Sequence, residues 1–250
     1  MNVRVFQTRQ ELAQAAADRA AEVILGAIGE RGRAFVIFAT GNSQLDFLNA
    51  LVRKASVDWS KVVLFQLDEY IGLPARHPAS FAEFIRKNVL DHVRPEKAYL
   101  IEEYDARKIS ELVAHQTMDL AFAGIGENGH LAFNDPPADF DTEEPYLRVQ
   151  LDRKCREQQV GEGWFPTFDD VPKEALSMSI RQILKSREIL CVVPERRKAE
   201  AVRDCLDGPV TPLHPASILQ QHAGVTVFLD TESASLLSAL DGRQVGDLPH

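Results

Sequence analysis

Gly124-Ile-Gly-Glu-Asn-Gly-His-Leu-Ala-Phe-Asn-Asp-Pro-Pro137 is the stretch whose reading decides the fold, together with the Asp119-Leu-Ala-Phe-Ala123 that leads into it. The leader is apolar enough to be a strand buried in a sheet. The loop that follows is hinged on Gly124, Gly126 and Gly129, which allow the backbone to approach a ligand closely. Between those hinges stand Asn128, His130 and Asp135, an amide, an imidazole and a carboxylate on one short segment. A buried strand that ends in a polar, glycine-rich loop is the unit from which ligand-binding edges of α/β sheets are made.

Working outward, helical and strand patterns alternate along almost the whole chain. This predicts an α/β fold with an open, mainly parallel sheet and helices on both faces, Rossmann-like in architecture. Thr8-Arg-Gln-Glu11 reads as a capping box for a first helix reaching Gly29. Ala34 to Ala39 and Val62 to Leu67 read as buried strands. Thr40-Gly-Asn-Ser leads into a helix over 45–54, Ser80-Phe-Ala-Glu83 caps another toward Leu90, and 105–116 is helical. Further strands are expected at 146–151, 175–180, 188–193 and 224–229, and helices at 196–206, 215–222 and 232–240, with a frayed tail after Asp241. No repeat, low-complexity tract or linker divides the 250 residues, so the chain reads as a single domain over 1–250.

Composition narrows the function. Charged residues make up 26% and hydrophobic ones 45%, which excludes disordered and collagen-like classes. A net charge of −9 and a pI near 5.3 disfavour nucleic acid or an anionic membrane as partner, while leaving room for a local basic pocket. No membrane span and no signal-peptide core are visible, so a cytoplasmic location is expected. Cys155, Cys191 and Cys205 are odd in number and lack a C-x-x-C pair, which suggests neither disulfides nor a zinc knuckle.

Polar clusters fall where strands end: Thr40 to Ser43, Asp68-Glu-Tyr, 124–135 and Glu195 to Lys198. In an open parallel sheet those ends share one edge, so four distant segments should meet at one pocket. Thr40, Gly41, Asn42 and Ser43 open a helix and offer hydroxyls and free N–H groups to an anion, or form an ordinary capping turn. Lys198 sits where its charge opposes the helix dipole, as suits a cation facing an anion, although a solvated charge run is the plainer alternative. Asp68 and Glu69 point to opposite sides, so only one enters a given pocket, where it can serve as a general base. His130 gains an orienting partner in Asp135. A metal site using His130, Asp135, Asp68 and His77 lacks any two-ligand spacing on one element, and no Gly-x-Ser-x-Gly elbow supports a serine hydrolase.

Leu67-Asp-Glu-Tyr-Ile-Gly-Leu-Pro74, His77-Pro-Ala-Ser80 and the 124–136 loop together resemble the glucosamine-6-phosphate deaminase (isomerase) family. The likeness continues through Asp170-Val-Pro-Lys-Glu-Ala-Leu176 and Val193-Pro-Glu-Arg-Arg-Lys-Ala199 to His214-Pro-Ala-Ser217, nearly the whole chain. The related 6-phosphogluconolactonases share the Gly-x-Gly-x-x-Gly-His core but usually continue as Ser-Leu-Phe-Pro, so Leu131-Ala-Phe-Asn-Asp135 favours the deaminase branch.

The resemblance implies the fold of that superfamily and an enzyme converting glucosamine 6-phosphate, or a close analogue, to fructose 6-phosphate and ammonia. Asp68 would take the C2 proton, and His130 with Asp135 would open the ring beside Asn128. Thr40, Gly41, Asn42, Ser43, Gly126, Gly129 and Lys198 would hold the sugar phosphate. No metal or redox cofactor is implied, and assembly as a homo-oligomer is left open because family members differ. Departures from the pattern are Asn128 for a frequent aspartate, Asp135 for a common glutamate, and Asn42-Ser43-Gln44 in the phosphate loop. The arginine usual before the aromatic pair has no counterpart in Val160-Gly-Glu-Gly-Trp-Phe165, where a glutamate would repel a phosphate dianion unless it points away. Two other readings remain: a sibling enzyme on another sugar, including a lactonase-like hydrolase, and a catalytically silent sugar-phosphate sensor.

Overall fold

Parallel pairing throughout the main sheet follows from short apolar strands alternating with helices. The computed structural model describes residues 1–74 and 76–238, with the backbone of 244–245. In chain order the strands are β1 (Asn2–Phe6), β2 (Ala34–Phe38), β3 (Val62–Gln66), β4 (Asp68–Tyr70), β5 (Lys97–Tyr99), β6 (Leu120–Ala123), β7 (Tyr146–Gln150), β8 (Glu174–Met178), β9 (Glu188–Val193), β10 (Val225–Asp230) and β11 (Gln244–Val245). The α-helices are α1 (Arg9–Arg31), α2 (Asn42–Leu51), α3 (Phe81–Ile85), α4 (Ala106–Ala114), α5 (Arg153–Gly161), α6 (Ile180–Leu184) and α7 (Ala199–Leu206). The large sheet has the order β11-β1-β10-β9-β6-β2-β3-β5 with every pair parallel. Every residue of β3 and β6 is buried, as strands covered on both faces require. Among the described residues no helix is long and apolar enough to cross a membrane.

The strand order locates the site. From β2 the chain steps outward through β3 to β5, whereas β6 and its successors β9 and β10 lie on the other side of β2. The chain therefore reverses direction between β2 and β6, and the loops leaving their carboxyl ends part to open a crevice. Those two loops are Ala39 to Gly41 and Gly124 to Ala132.

A second, three-stranded antiparallel sheet, β4-β8-β7, stands beside this edge. It carries its own apolar cluster, in which Tyr70 packs against Phe81, Phe133 and Phe165 at centroid distances of 5.0, 5.1 and 5.5 Å. The expected strands over 146–151 and 175–180 thus exist but pair antiparallel outside the main sheet. Periodicity identifies a strand without identifying its neighbour.

Other boundaries moved for local reasons. The first helix passes Gly29 and ends at Arg31, because Gly32 takes the left-handed cap at φ 78°. Its capping box is present as read, with the Thr8 hydroxyl accepting from Glu11 N–H at 3.1 Å. The helix placed at 45–54 begins at Asn42, directly on the Thr40-Gly41 turn. The segment toward Leu90 is one α turn followed by a π turn over Arg86–Leu90, and Pro215–Gln221 is a 3-10 helix. Residues 231–236 form turns rather than the start of a helix, and the rest of the 232–240 expectation and the tail after Asp241 fall largely outside the described residues. Strands β1 and β5 and helix α5 had no expectation, β5 for want of length and α5 because its sequence Arg-Lys-Cys-Arg-Glu-Gln-Gln-Val-Gly is mostly polar.

Candidate active site

The carboxyl ends of β9, β6, β2 and β3, four neighbours in the sheet, surround a cleft open to solvent. Its walls include Thr40, Gly41, Ser43, Asp68, Gly126, His130, Gln158, Glu162 and Lys198.

Asp68 begins β4, opposite Ser177 of β8, and is 6% exposed. Its carboxylate has no hydrogen-bond partner among the described residues. Burial first, and then the neighbouring Glu69 charge, raises its pKa well above the usual carboxylate range. Such a group is a stronger base than an ordinary aspartate once ionised. Glu69 turns the other way, as strand alternation demands, and accepts from the N–H groups of Tyr70 (2.9 Å), Phe81 (3.1 Å) and Ala82 (2.7 Å) and from Ser80 Oγ (2.9 Å). It caps α3. Gln66 donates to the Asp68 carbonyl at 2.8 Å and so fixes the turn from β3 to β4.

His130 lines the cleft with its ring backed by Asp135: Nδ1 lies 3.1 Å from Asp135 Oδ1. With Nδ1–H donated to the carboxylate, Nε2 is left as proton acceptor. Asp135 also accepts from Asn128 Nδ2 and from Asp152 N–H, each at 2.9 Å. Burial opposes its ionisation, but these bonds and the imidazole outweigh it and hold the carboxyl below its ordinary pKa. Asn128 in turn accepts from His130 N–H at 3.1 Å and donates to Asp152. Asp152 meanwhile caps α5 through Cys155 N–H. Asn128 and Asp135 do not line the cleft; they hold the ring that does.

Gly126 is required by the ring itself, because a Cβ there would lie 2.2 Å from His130 Nε2. Gly129 is different. It lies outside the cleft at φ 82°, where a side chain would press on Cys205 Sγ at 3.3 Å, so its place is conformational.

At the other end, Thr40, Gly41 and Ser43 line the cleft, and the Thr40 hydroxyl is buried without a hydrogen-bond partner among the described residues. Asn42 is turned aside, donating from Nδ2 to the Glu162 carbonyl at 3.2 Å. Lys198 is 3% exposed and faces the same space; desolvation lowers its pKa, partly countered by Glu162. Arg196 and Arg197 stay at the solvent side, so the charge run divides into one buried ammonium and two surface guanidiniums.

Gln158 and Gln159, missed in the sequence, reach the cleft from α5, and Glu162, the glutamate whose direction the sequence left open, lines it from the residue after. Asp152 three residues before Cys155 was the available signal, an N-cap in an otherwise polar stretch. His130, Asp135 and Cys155 place potential metal-ligating atoms within 4.8 Å of one another. Burial and the adjacent Asp135 raise the Cys155 thiol pKa. His77 stacks on Phe165 at 5.7 Å, away from that trio.

Known proteins resemble this chain in sequence and fold. Residues 7–228 match the family described as glucosamine-6-phosphate isomerases/6-phosphogluconolactonase. A glucosamine-6-phosphate deaminase of Exiguobacterium sibiricum is 39% identical over 206 residues, 80% of each chain. The solved structure of a monomeric glucosamine-6-phosphate deaminase superposes with a TM-score of 0.85 at 33% identity, covering 94% of this chain and all of that one. A 6-phosphogluconolactonase from Shewanella baltica shares the fold at a TM-score of 0.72 and 20% identity, covering 92% of this chain and 98% of its own.

Proposed function

This chain belongs to the glucosamine-6-phosphate isomerase/6-phosphogluconolactonase family, and from that premise we propose how its cleft carries out aldose–ketose isomerisation with deamination. It is an enzyme of the glucosamine-6-phosphate deaminase type. The observation that carries the mechanism is the meeting, in one cleft, of a buried carboxylate at Asp68, unpaired among the described residues, with the His130 ring that Asp135 backs.

Nε2 of His130 moves the proton between O1 and the ring oxygen, opening the hemiacetal to the free aldehyde. Asp135 keeps the imidazole in the tautomer this needs and compensates the charge as the ring is protonated. Asp68 then takes the C2 proton, whose acidity the adjacent aldehyde raises, and returns it to C1 from the enolamine. The resulting C2 imine adds water and expels ammonia, leaving the ketose, so the net reaction consumes one water per ammonia. Asn128, an amide, contributes orientation and no proton. Thr40, Gly41, Ser43 and Lys198 face the end of the sugar remote from C1 and C2. The acidic chain and its three buried free cysteines suit a cytoplasmic setting.

Ammonia release from glucosamine 6-phosphate tests the reaction, with 6-phosphogluconolactone hydrolysis as the competing assay. Asp68→Asn should lower kcat by about 10²–10⁴-fold, the usual contribution of a general base, with sugar binding retained. Undiminished turnover by that variant would remove Asp68 from the base role.

A further inference from the structure

The remote end of the cleft does not have the charge expected of a phosphate-dianion site. Glu162, 7% exposed at its side chain, lines the same wall as Lys198, with its Oε1 at 3.9 Å from the Lys198 ammonium. Its carboxylate is held in place: Oε1 accepts from Gln158 Nε2 at 2.7 Å and Oε2 from Trp164 Nε1 at 3.2 Å. Arg197 adds an ion pair at 3.3 Å but is shared with Glu195 and Glu127, at 2.6 and 3.5 Å. The Asn42 amide anchors the Glu162 backbone. The wall therefore offers one ammonium, one fixed carboxylate, and hydroxyls from Thr40 and Ser43.

A phosphate dianion seated on Lys198 would lie against a carboxylate that cannot withdraw without breaking the bonds to Gln158 and Trp164. A neutral hydroxyl meets no such conflict, since its oxygen accepts from Lys198 while its proton goes to Glu162. We infer that Glu162 is the specificity-determining residue of this cleft, favouring a terminal hydroxyl over a dianionic phosphate ester. Amino sugars with a free C6 hydroxyl are then substrates alongside the phosphate ester. The inference rests on the deaminase reading for its chemistry, but its charge argument is independent of turnover.

The experiment compares kcat/KM for ammonia release from glucosamine and glucosamine 6-phosphate in the wild type and Glu162→Gln. It adds a calorimetric titration of both proteins with inorganic phosphate. Removing the charge should shift the ratio toward the phosphorylated sugar by about 10- to 100-fold and tighten inorganic phosphate by about tenfold, the scale of relieving a like-charge contact. A ratio that stays the same or moves toward glucosamine, or phosphate bound no more tightly, overturns the inference. Should the wild type release no ammonia from either sugar, the reaction reading fails and the phosphate titration alone decides the role of Glu162. Glu162→Ala makes the same comparison if the amide variant does not fold.

Discussion

His130 can work only because three neighbours hold it: Asp135 fixes its tautomer, Asn128 takes its backbone N–H, and Gly126 leaves room for its ring. The tightest of these constraints is steric. Gly126→Ala puts a methyl group 2.2 Å from Nε2, so the ring must move by about 1 Å, and kcat should fall by about 10²-fold. Steady-state kinetics check this, and unchanged kcat would mean the ring position is not critical. The sequence made His130 and Asp135 legible as a pair because they lie five residues apart on one loop. It did not make Glu162 legible as a wall of the cleft, because nothing in Val160-Gly-Glu-Gly-Trp-Phe165 tells which way a carboxylate at a helix end turns.

At the scale of elements, α3 depends on a carboxylate from a different strand. Glu69 satisfies the N–H groups of Phe81 and Ala82 and thereby places a negative charge at the positive end of the helix. The same charge, after burial, raises the pKa of Asp68. Two opposite consequences follow for Glu69→Gln. A base must be ionised to act, so the acid limb of kcat/KM reports the raised Asp68 pKa and lies above the ordinary carboxylate range. Removing the neighbouring charge moves that limb to lower pH. Stability falls by about 1–3 kcal/mol, since buried N–H groups lose a charged acceptor. A pH–rate profile and a melting curve read the two effects separately, and a limb that moves upward or stays in place would refute the coupling. This double use of one side chain was half visible: strand alternation separates Asp68 from Glu69, but the helix that receives Glu69 starts twelve residues later and is located only by folding.

Across the whole molecule, the reactive loop and a buried anchoring carboxylate lie at opposite ends of β6. Asp119, just before β6 and 1% exposed, accepts from Phe35 N–H at 2.9 Å and pairs with Arg31. The reactive loop begins at Gly124, at the other end of that strand. Asp119→Asn should therefore lower stability by about 1–3 kcal/mol, a melting-point drop of roughly 2–4 °C per kcal/mol for a chain of this size, with kcat unchanged within error. A large loss of kcat in the folded variant would show that the two ends are coupled. The strand-ending apolar runs, the capping box at Thr8 and the polar loop at 124–137 were sufficient in the sequence to specify a parallel α/β sheet and the segments along its ligand-binding edge, because periodicity and turn chemistry are local properties. The pairing of β4, β7 and β8 into a separate antiparallel sheet, the delivery of Gln158 and Glu162 by α5, and the retreat of Asn42 and Gly129 from the cleft were decided only in three dimensions. Each depends on which distant backbone or side chain satisfies a buried polar group, and that partner is set by chain packing rather than by neighbours in the sequence.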